Sequence, residues 1–298
     1  MPCYPDCIAP FDLHNHTWWS YDAAAQPDAY FRRARELSIR ALALTEHHVF
    51  DSWFEVKEAA RAYPDVRVIP AAEISVTTSL GAVDLLCYGI PEEPRGALKQ
   101  MFERYRAWQV QNGSAISRGM KALGFSFNEF DRWRLLLSYR PAKAVLRQGP
   151  THIKNAVLRE HFIQRGFIRG AEDYAALMHQ VRVKGEAAPY PEAKEIAPVL
   201  KEAGVLLAIA HPYGYFGGFD MARIEALRRE CQLDGIECAH PAVPPEFTPQ
   251  YRQYCVEHGL FSVGGTDNHA DDEVARHLGR HLGEREWLDE LLERLERR

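Results

Sequence analysis

The chain has 298 residues, 46% of them hydrophobic and 26% charged, with a formal net charge of -5. That length buries a real core in one large α/β barrel or two modest domains, and the acidic balance argues against a broad basic surface for duplex nucleic acid, whose binding relies on neutralising many phosphates. No apolar run reaches the roughly 18–20 residues of a membrane span and the first residues lack the basic-then-apolar order of a signal peptide, so the expected setting is cytoplasmic, with no membrane partner.

Seven short runs read as strands in chain order: Phe11–Leu13, Ala41–Thr45, Val66–Ala71, Ala82–Tyr88, Val205–Ala210, Gly235–Cys238 and Leu260–Gly264. Helical patterns separate most of them. One opens at Pro27 and runs to about Leu37, and a second is capped by Asp51 or Ser52 and stopped by Pro64. Others cover Pro191–Ala203, Asp220–Glu230, Pro249–Glu257 and Glu284–Leu295, the last with Leu288, Leu291, Leu292 and Leu295 on one face. Strand and helix in alternation predict a parallel sheet with helices outside, and seven strands favour a closed barrel over an open sheet.

From about Glu93 to Ala188 the alternation stops and helix dominates. Leu98–Leu123 reads as one long helix or two, despite Gly113 and Gly119, followed by His152–Gly166 and Ala171–Val181. The expected organisation is a barrel from 1–92 and 189–298, with 93–188 inserted between the fourth and fifth strands as a lid or substrate-selecting cap. The six cysteines show no Cys-x2-Cys pair; Cys87 reads as a buried small hydrophobe, Cys3 and Cys7 as free terminal thiols.

The chemistry is written at the strand ends. Asp12-Leu13-His14-Asn15-His16 places two imidazoles at i and i+2, on one side of an extended segment, and Asp12 is positioned to orient a ligating histidine. Glu46, His47 and His48 end the second run, with His47 the preferred ligand and His48 supporting it or facing substrate. Glu73 follows the third run; its two oxygens can each bind a different cation. His211, fixed by Pro212, ends a wholly apolar run, and Asp267 and His269 repeat the i, i+2 spacing after Gly264 and Gly265, which let the backbone approach a crowded centre. Strand ends of a barrel converge on one face. His, Asp and Glu together suit Mn2+, Fe2+ or Zn2+ better than Mg2+ or Ca2+. Such ions lower the pKa of water and clamp attacking and leaving oxygens, so hydrolysis, above all of a phosphoester, is the expected reaction.

These motifs resemble those of the PHP (polymerase and histidinol phosphatase) family of metal-dependent phosphoesterases. Its Asp-x-His-x-His-Thr stands as Asp12 to Thr17, Thr-Asp-His as Thr45-Glu46-His47, Pro-x-x-Glu-Ile-Ser as Pro70 to Ser75, Ala-His-Pro as Ala210-His211-Pro212, and Gly-(Ser/Thr)-Asp-x-His as Gly265 to His269. The resemblance covers about 11–90 and 200–275 and implies a distorted (β/α)7 barrel, related to the TIM barrel, with two or three divalent metal ions. It implies His14, His16, Glu73 and Asp267 on the first ion, Glu73 bridging to a second that also takes His211, and His47, His269 and Asp22 on the third, with Tyr21 the alternative alignment for Asp22. Asp267, His269 and His47 are the catalytic candidates.

The chain departs from the family in places. Glu46 replaces an Asp. Asp84 stands where many members have a metal-binding His and reads either as a ligand or as a buried, hydrogen-bonded carboxylate. The insertion is similar to that of a branch acting on nucleotides and short oligonucleotides, whose Gly-Arg-Pro-His-Ile stands here as Gly149-Pro150-Thr151-His152-Ile153. His152 is kept and the phosphate-gripping Arg is missing. Arg140, Lys143, Arg147 and Lys154 are substitutes, with Arg147 and Lys154, which flank His152, preferred.

The expected function is hydrolysis, by metal-activated hydroxide, of a phosphate ester of a small metabolite, a nucleotide or a short oligonucleotide. The alternatives are an amidohydrolase-like C–N hydrolase on the same centre and a non-catalytic scaffold.

Overall fold

A computed structural model describes residues Tyr4–Arg298; Cys3 lies outside them. The chain divides into two compact units, one of residues 4–17, Ala25–Phe102 and Tyr190–Arg298, the other of Trp18–Ala24 and Glu103–Pro189. The sequence boundaries at 92/93 and 188/189 therefore differ from the observed ones, most of all in the short segment Trp18–Ala24, whose three aromatic and two alanine residues carry no signal for membership of a helical unit.

The first unit is a seven-stranded sheet: β1 Phe11–Asp12, β2 Ala41–His47, β3 Arg67–Thr78, β4 Gly81–Tyr88, β5 Leu206–Ile209, β6 Gly235–Ala239 and β7 Phe261–Gly264, neighbours in that order. It curls until its ends meet. The Leu13 N–H donates to the Gly264 carbonyl (3.1 Å), the Asp267 N–H to the His14 carbonyl (2.8 Å), and Asn15 bridges to Asn268. The Tyr30 hydroxyl spans the carbonyls of His16 and Asn268 across this seam. The fold is an α/β, nearly closed (β/α)7 barrel.

The sheet is not all parallel. β4 runs antiparallel to both β3 and β5. β3 extends to Thr78 because Val76-Thr77-Thr78 continues the β-branched run, and Gly81 at φ 107° starts the return strand after only Ser79 and Leu80. So short a connection joins antiparallel strands; a parallel pair needs a crossover.

Helices Pro27–Glu36 and Trp53–Ala60 bury one face each against the barrel. Tyr30, Phe31 and Ala34 from the first and Val56 from the second join Leu42 and Leu44 of β2 in one core cluster. The second helix ends four residues before Pro64, in a turn rather than at the proline.

The second unit is helical. Gly96–Ala122 is one continuous helix. Its glycines are places of close approach: a Cβ at Gly113 would stand 2.5 Å from the Thr151 carbonyl oxygen, and one at Gly119 2.0 Å from that of Val181. Helices Glu129–Leu137 and Ala142–Gln148 were not evident from the sequence, although Asn128 and Asp131 form a capping box at the start of the first. Asn155–Gln164 and Tyr174–Lys184 complete the unit around Met120, Leu136, Val145, Leu158, Phe162 and Val181. Among the described residues no helix is long and apolar enough to cross a membrane.

Candidate metal centre

All seven strands deliver polar side chains to one end of the barrel. His14 and His16 follow β1, His47 ends β2, Glu73 lies within β3, Asp84 within β4, His211 follows β5, Glu237 and His240 come from β6 and the turn beyond it, and Asp267 and His269 follow β7. The antiparallel direction of β4 is why its contribution, Asp84, sits mid-strand rather than at an end.

Glu73 is the hub. Its Oε2 lies 3.2 Å from each of His14 Nε2, His16 Nε2 and His47 Nδ1, and its Oε1 lies 3.4 Å from His211 Nε2. Asp267 Oδ1 lies 3.0 Å from His16 Nε2 and 3.4 Å from His14 Nε2. Four sets of ligand-type atoms gather within 4.8 Å: His16, His47 and His269; His14, His16 and Glu73; His14, His240 and Asp267; and Glu73, Asp84 and His211.

These residues fit divalent ions. Ligand atoms held at about 2.0–2.2 Å from one ion stand roughly 3.0–3.5 Å apart, which is the spacing around Glu73. Among the described residues, His14 Nε2, both Glu73 oxygens and Asp267 Oδ1 are buried without a conventional hydrogen bond. Nitrogen and carboxylate lone pairs facing one another in a buried site repel unless a proton or a cation stands between them.

Without a cation, protons take that place. Burial disfavours the His14 imidazolium, but Glu237, Glu73 and Asp267 outweigh it and raise the His14 pKa well above its usual value. Burial also opposes ionisation of Glu73, and the nearby His14 and His47 reverse that and hold its pKa well below the usual range. Asp267 is lowered in the same way, with His14 and His269 overcoming burial. His211 rises to about 9, burial being outweighed by its contact with Glu73.

The tautomers are set by neighbours. His14 Nδ1 pairs with Glu237 Oε1 at 2.9 Å, and His269 Nδ1 with the Asp267 carbonyl at 2.8 Å. Each Nδ1–H donates, which leaves the Nε2 lone pair to ligate. Glu237 takes the part expected of Asp12. The Asp12 carboxylate instead accepts from Asn15 Nδ2 (2.8 Å), the Thr266 N–H (3.1 Å) and the Gly279 N–H (2.8 Å), and so pins the seam between β1 and β7.

Glu46 is turned away from the cluster. Its Oε2 accepts the Thr17 N–H at 3.0 Å and its Oε1 the Thr17 hydroxyl, which fixes the chain just after His16. The longer side chain spans a gap that Asp would leave. Asp84 is also held: Ser75 Oγ donates to Oδ1, Tyr215 OH donates to Oδ2 at 2.9 Å, and His48 Nε2 pairs with the same Ser75 Oγ at 2.8 Å. Its Oδ2 stands 3.9 Å from His211 Nε2. His48, His211 and Asp267 have left-handed backbone, φ 65°, 31° and 53°, uncommon for residues with a Cβ. A Cβ on Gly265 would meet His14 Cβ at 2.3 Å, which is why glycine stands there.

His240 escaped the sequence reading because the sixth run was closed at Cys238, and Glu237 because it lies inside that run rather than at its end. A signal existed: Ala239-His240-Pro241 repeats Ala210-His211-Pro212.

The remaining candidates belong to the helical unit. Asp22 lies in a turn of Trp18–Ala24. His152 packs its ring against Tyr21, centroids 3.7 Å apart, and edge-on to Trp108. Lys154 precedes helix Asn155–Gln164, its N–H donating to Tyr139 OH at 3.2 Å, and Arg147 is exposed. Arg140 is buried, with Nε on the Trp18 carbonyl (2.8 Å) and Nη2 on that of Trp19 (3.2 Å), and Lys143 lies over the Trp18 ring; both secure the Trp18–Ala24 segment.

A nearly closed (β/α)7 barrel gathering histidines and carboxylates at its strand ends defines the class of metal-dependent barrel hydrolases. The PHP domain family matches residues 12–209, and the chain belongs to that family. It is 25% identical over 284 residues, 91% of either chain, to the 3',5'-nucleoside bisphosphate phosphatase of Chromobacterium violaceum. Two solved structures share its fold. One is a Bifidobacterium adolescentis protein assigned as a metal-dependent phosphoesterase (22% identity, TM-score 0.72, 97% of each chain). The other is a Chromobacterium violaceum protein described as an amidohydrolase with bound sulfate (21% identity, TM-score 0.73, 96% of this chain and 97% of that one). The protein is a hydrolase of phosphate esters of the metal-dependent PHP type.

Proposed function

We propose that this protein removes phosphate from a small phosphorylated substrate of nucleotide type, a nucleoside bisphosphate first among them, using a cluster of divalent ions. The observation that carries the reading is Glu73, whose Oε2 faces His14, His16 and His47 while its Oε1 faces His211. A carboxylate shared in this way suits a bridge between ions. The substrate class is supported by the name of the 25% identical relative.

His14, His16, Glu73 and Asp267 would hold one ion, Glu73, His211 and Asp84 a second, and His16 or Glu73 with His47 and His269 a third, to which Asp22 is assigned by family resemblance. Mn2+, Fe2+ and Zn2+ match the donor set. Ions of this kind polarise a phosphoryl oxygen and activate water. The chain's own task is orientation. Glu237 and the Asp267 carbonyl fix the His14 and His269 rings, Glu46 fixes the end of β1, and Ser75 with Tyr215 fixes Asp84. Asp267, His269 and His47 act by holding these groups where charge develops. The helical unit, with His152, Arg147 and Lys154, is proposed as the substrate-selecting part.

The test is metal analysis of purified protein followed by phosphate release from 3',5'-bisphosphonucleosides, mononucleotides, histidinol phosphate, short RNA and a generic aryl phosphate with added Mn2+. Release confined to bisphosphates and mononucleotides is expected. Bound metal with no phosphate release from any of them would overturn the reading, and turnover of an amide panel instead would assign C–N hydrolysis.

A further inference from the structure

Two segments of the helical unit lack regular structure. Trp18–Ala24 carries Tyr21 and Asp22, and 149–154 carries His152 and Lys154. No helix or sheet ladder fixes the shape of either, so their backbone groups have to be held by side chains from elsewhere.

Those side chains come from helices Glu129–Leu137 and Ala142–Gln148 and the turn between them. Arg140 takes the Trp18 and Trp19 carbonyls, and Gln148 Nε2 also donates to that of Trp19, at 2.8 Å. Arg132, 1% exposed, donates to the Pro150 carbonyl and to the hydroxyls of Ser117 (3.0 Å) and Ser114 (3.2 Å) on the long helix. Arg140 and Gln148 thus hold the first segment, and Arg132 the second.

Tyr139, in the turn, is hydrogen-bonded to both. Its hydroxyl donates to the Tyr21 carbonyl and accepts the Lys154 N–H at 3.2 Å. The Tyr21 ring in turn packs on His152, centroids 3.7 Å apart. These contacts close a circuit from the Tyr139 hydroxyl to Tyr21, across the two rings to His152, along the chain to Lys154 and back. One oxygen therefore sets the spacing of the two segments. Packing alone does not call for it: the Tyr139 ring lies against the apolar core of the helical unit, and phenylalanine would fill the same space.

We infer that Tyr139 is a positioning residue for substrate selection: its hydroxyl holds the segment of His152 and Lys154 in register with the segment of Tyr21 and Asp22. The inference rests on the phosphoesterase reading, with His152 and Lys154 as groups that meet the nucleotide, and adds to it what fixes them in place. A group held by such a contact loses selectivity when the contact goes, because the residues that meet the substrate remain but stand loosely.

The experiment compares wild type and Tyr139→Phe, with added Mn2+, on a 3',5'-bisphosphonucleoside and on a generic aryl phosphate, which has no nucleoside to select. In Tyr139→Phe the KM for the bisphosphate should rise about tenfold, the effect of about one hydrogen bond, with kcat changed far less. The ratio of kcat/KM for the bisphosphate to that for the aryl phosphate should fall by a similar factor. Equal losses on the two substrates, as a general loosening of the fold would give, or no loss on either, would overturn the inference. Wild type that releases phosphate from neither would remove the phosphoesterase reading itself, and the inference with it. Should Tyr139→Phe fail to fold, hydrogen exchange of the wild type decides the matter: the Lys154 amide should be protected despite its irregular segment, and exchange as fast as in an unstructured peptide refutes the contact.

Discussion

His14 Nδ1 and Glu237 Oε1 lie 2.9 Å apart in the floor of the barrel mouth, and that contact decides which nitrogen of His14 faces Glu73. The other oxygen of Glu237 accepts the His211 N–H at 2.7 Å. One buried carboxylate thus sets two ligand-bearing segments that are far apart in sequence.

Substituting Glu237 should therefore weaken metal binding without removing a ligand. Glu237→Gln keeps an acceptor and loses the charge; we expect a fall in metal affinity of roughly 10–100-fold, the usual range for a group supporting a ligating histidine. Competition with a chromophoric chelator measures it, and an unchanged affinity would show that Glu237 does not orient His14.

Glu73→Ala should have a larger effect, because Glu73 touches four imidazoles. More than one metal equivalent should be lost by elemental analysis, and phosphate release should fall by roughly 10³-fold or more, since bound metal supplies several kcal/mol of charge stabilisation. Loss of a single equivalent would disprove the bridging role.

The metal-free protein should show a stability maximum in mildly acidic solution. Glu73 and Asp267 have lowered folded-state pKa values, so their contribution is present above the ordinary carboxylate range and is lost as pH falls through the depressed values. His211 is raised from 6.5 to about 9, so its contribution is complete below pH 6.5 and is lost as pH rises to about 9. Melting curves of chelator-stripped protein from pH 4 to about 10 check this. Added Zn2+ should abolish the alkaline fall, because ligation replaces the proton on His211.

Gly265→Ala should damage the site through packing alone. The new Cβ would stand 2.3 Å from His14 Cβ and 2.5 Å from His14 N, so β1 and β7 must move apart. A loss of about 1–3 kcal/mol is expected, as for other overpacked positions, together with weaker metal binding. Gly214→Ala, with nothing within 4 Å, is the control. Equal denaturation midpoints for the two would contradict the account.

Much of the site was legible because its ligands terminate apolar runs. His14, His16, His47, His211, Asp267 and His269 each follow a stretch too apolar to lie at a surface, and a polar residue there has to face something. Asp84 was harder to read: it lies inside β4, where alternation alone does not distinguish a ligand from a hydrogen-bonded carboxylate, and only its contacts with Ser75 and Tyr215 show how it is held. The reversed direction of β4 was hidden because Val76-Thr77-Thr78 continues β3 without a break in composition, so the turn rested on Gly81 alone. His240 was missed because the sixth run was ended two residues before it, although Ala239-His240-Pro241 repeats Ala210-His211-Pro212.

The left-handed backbone at His48, His211 and Asp267 also bears on how such a chain changes over time. Each such residue costs on the order of 1–3 kcal/mol that a glycine would largely avoid, so a barrel selected only to persist would drift toward glycine at these three positions and lose its ions in the process. The side chains at these three positions mark the mouth of the barrel as the part of the molecule where activity and durability pull in opposite directions.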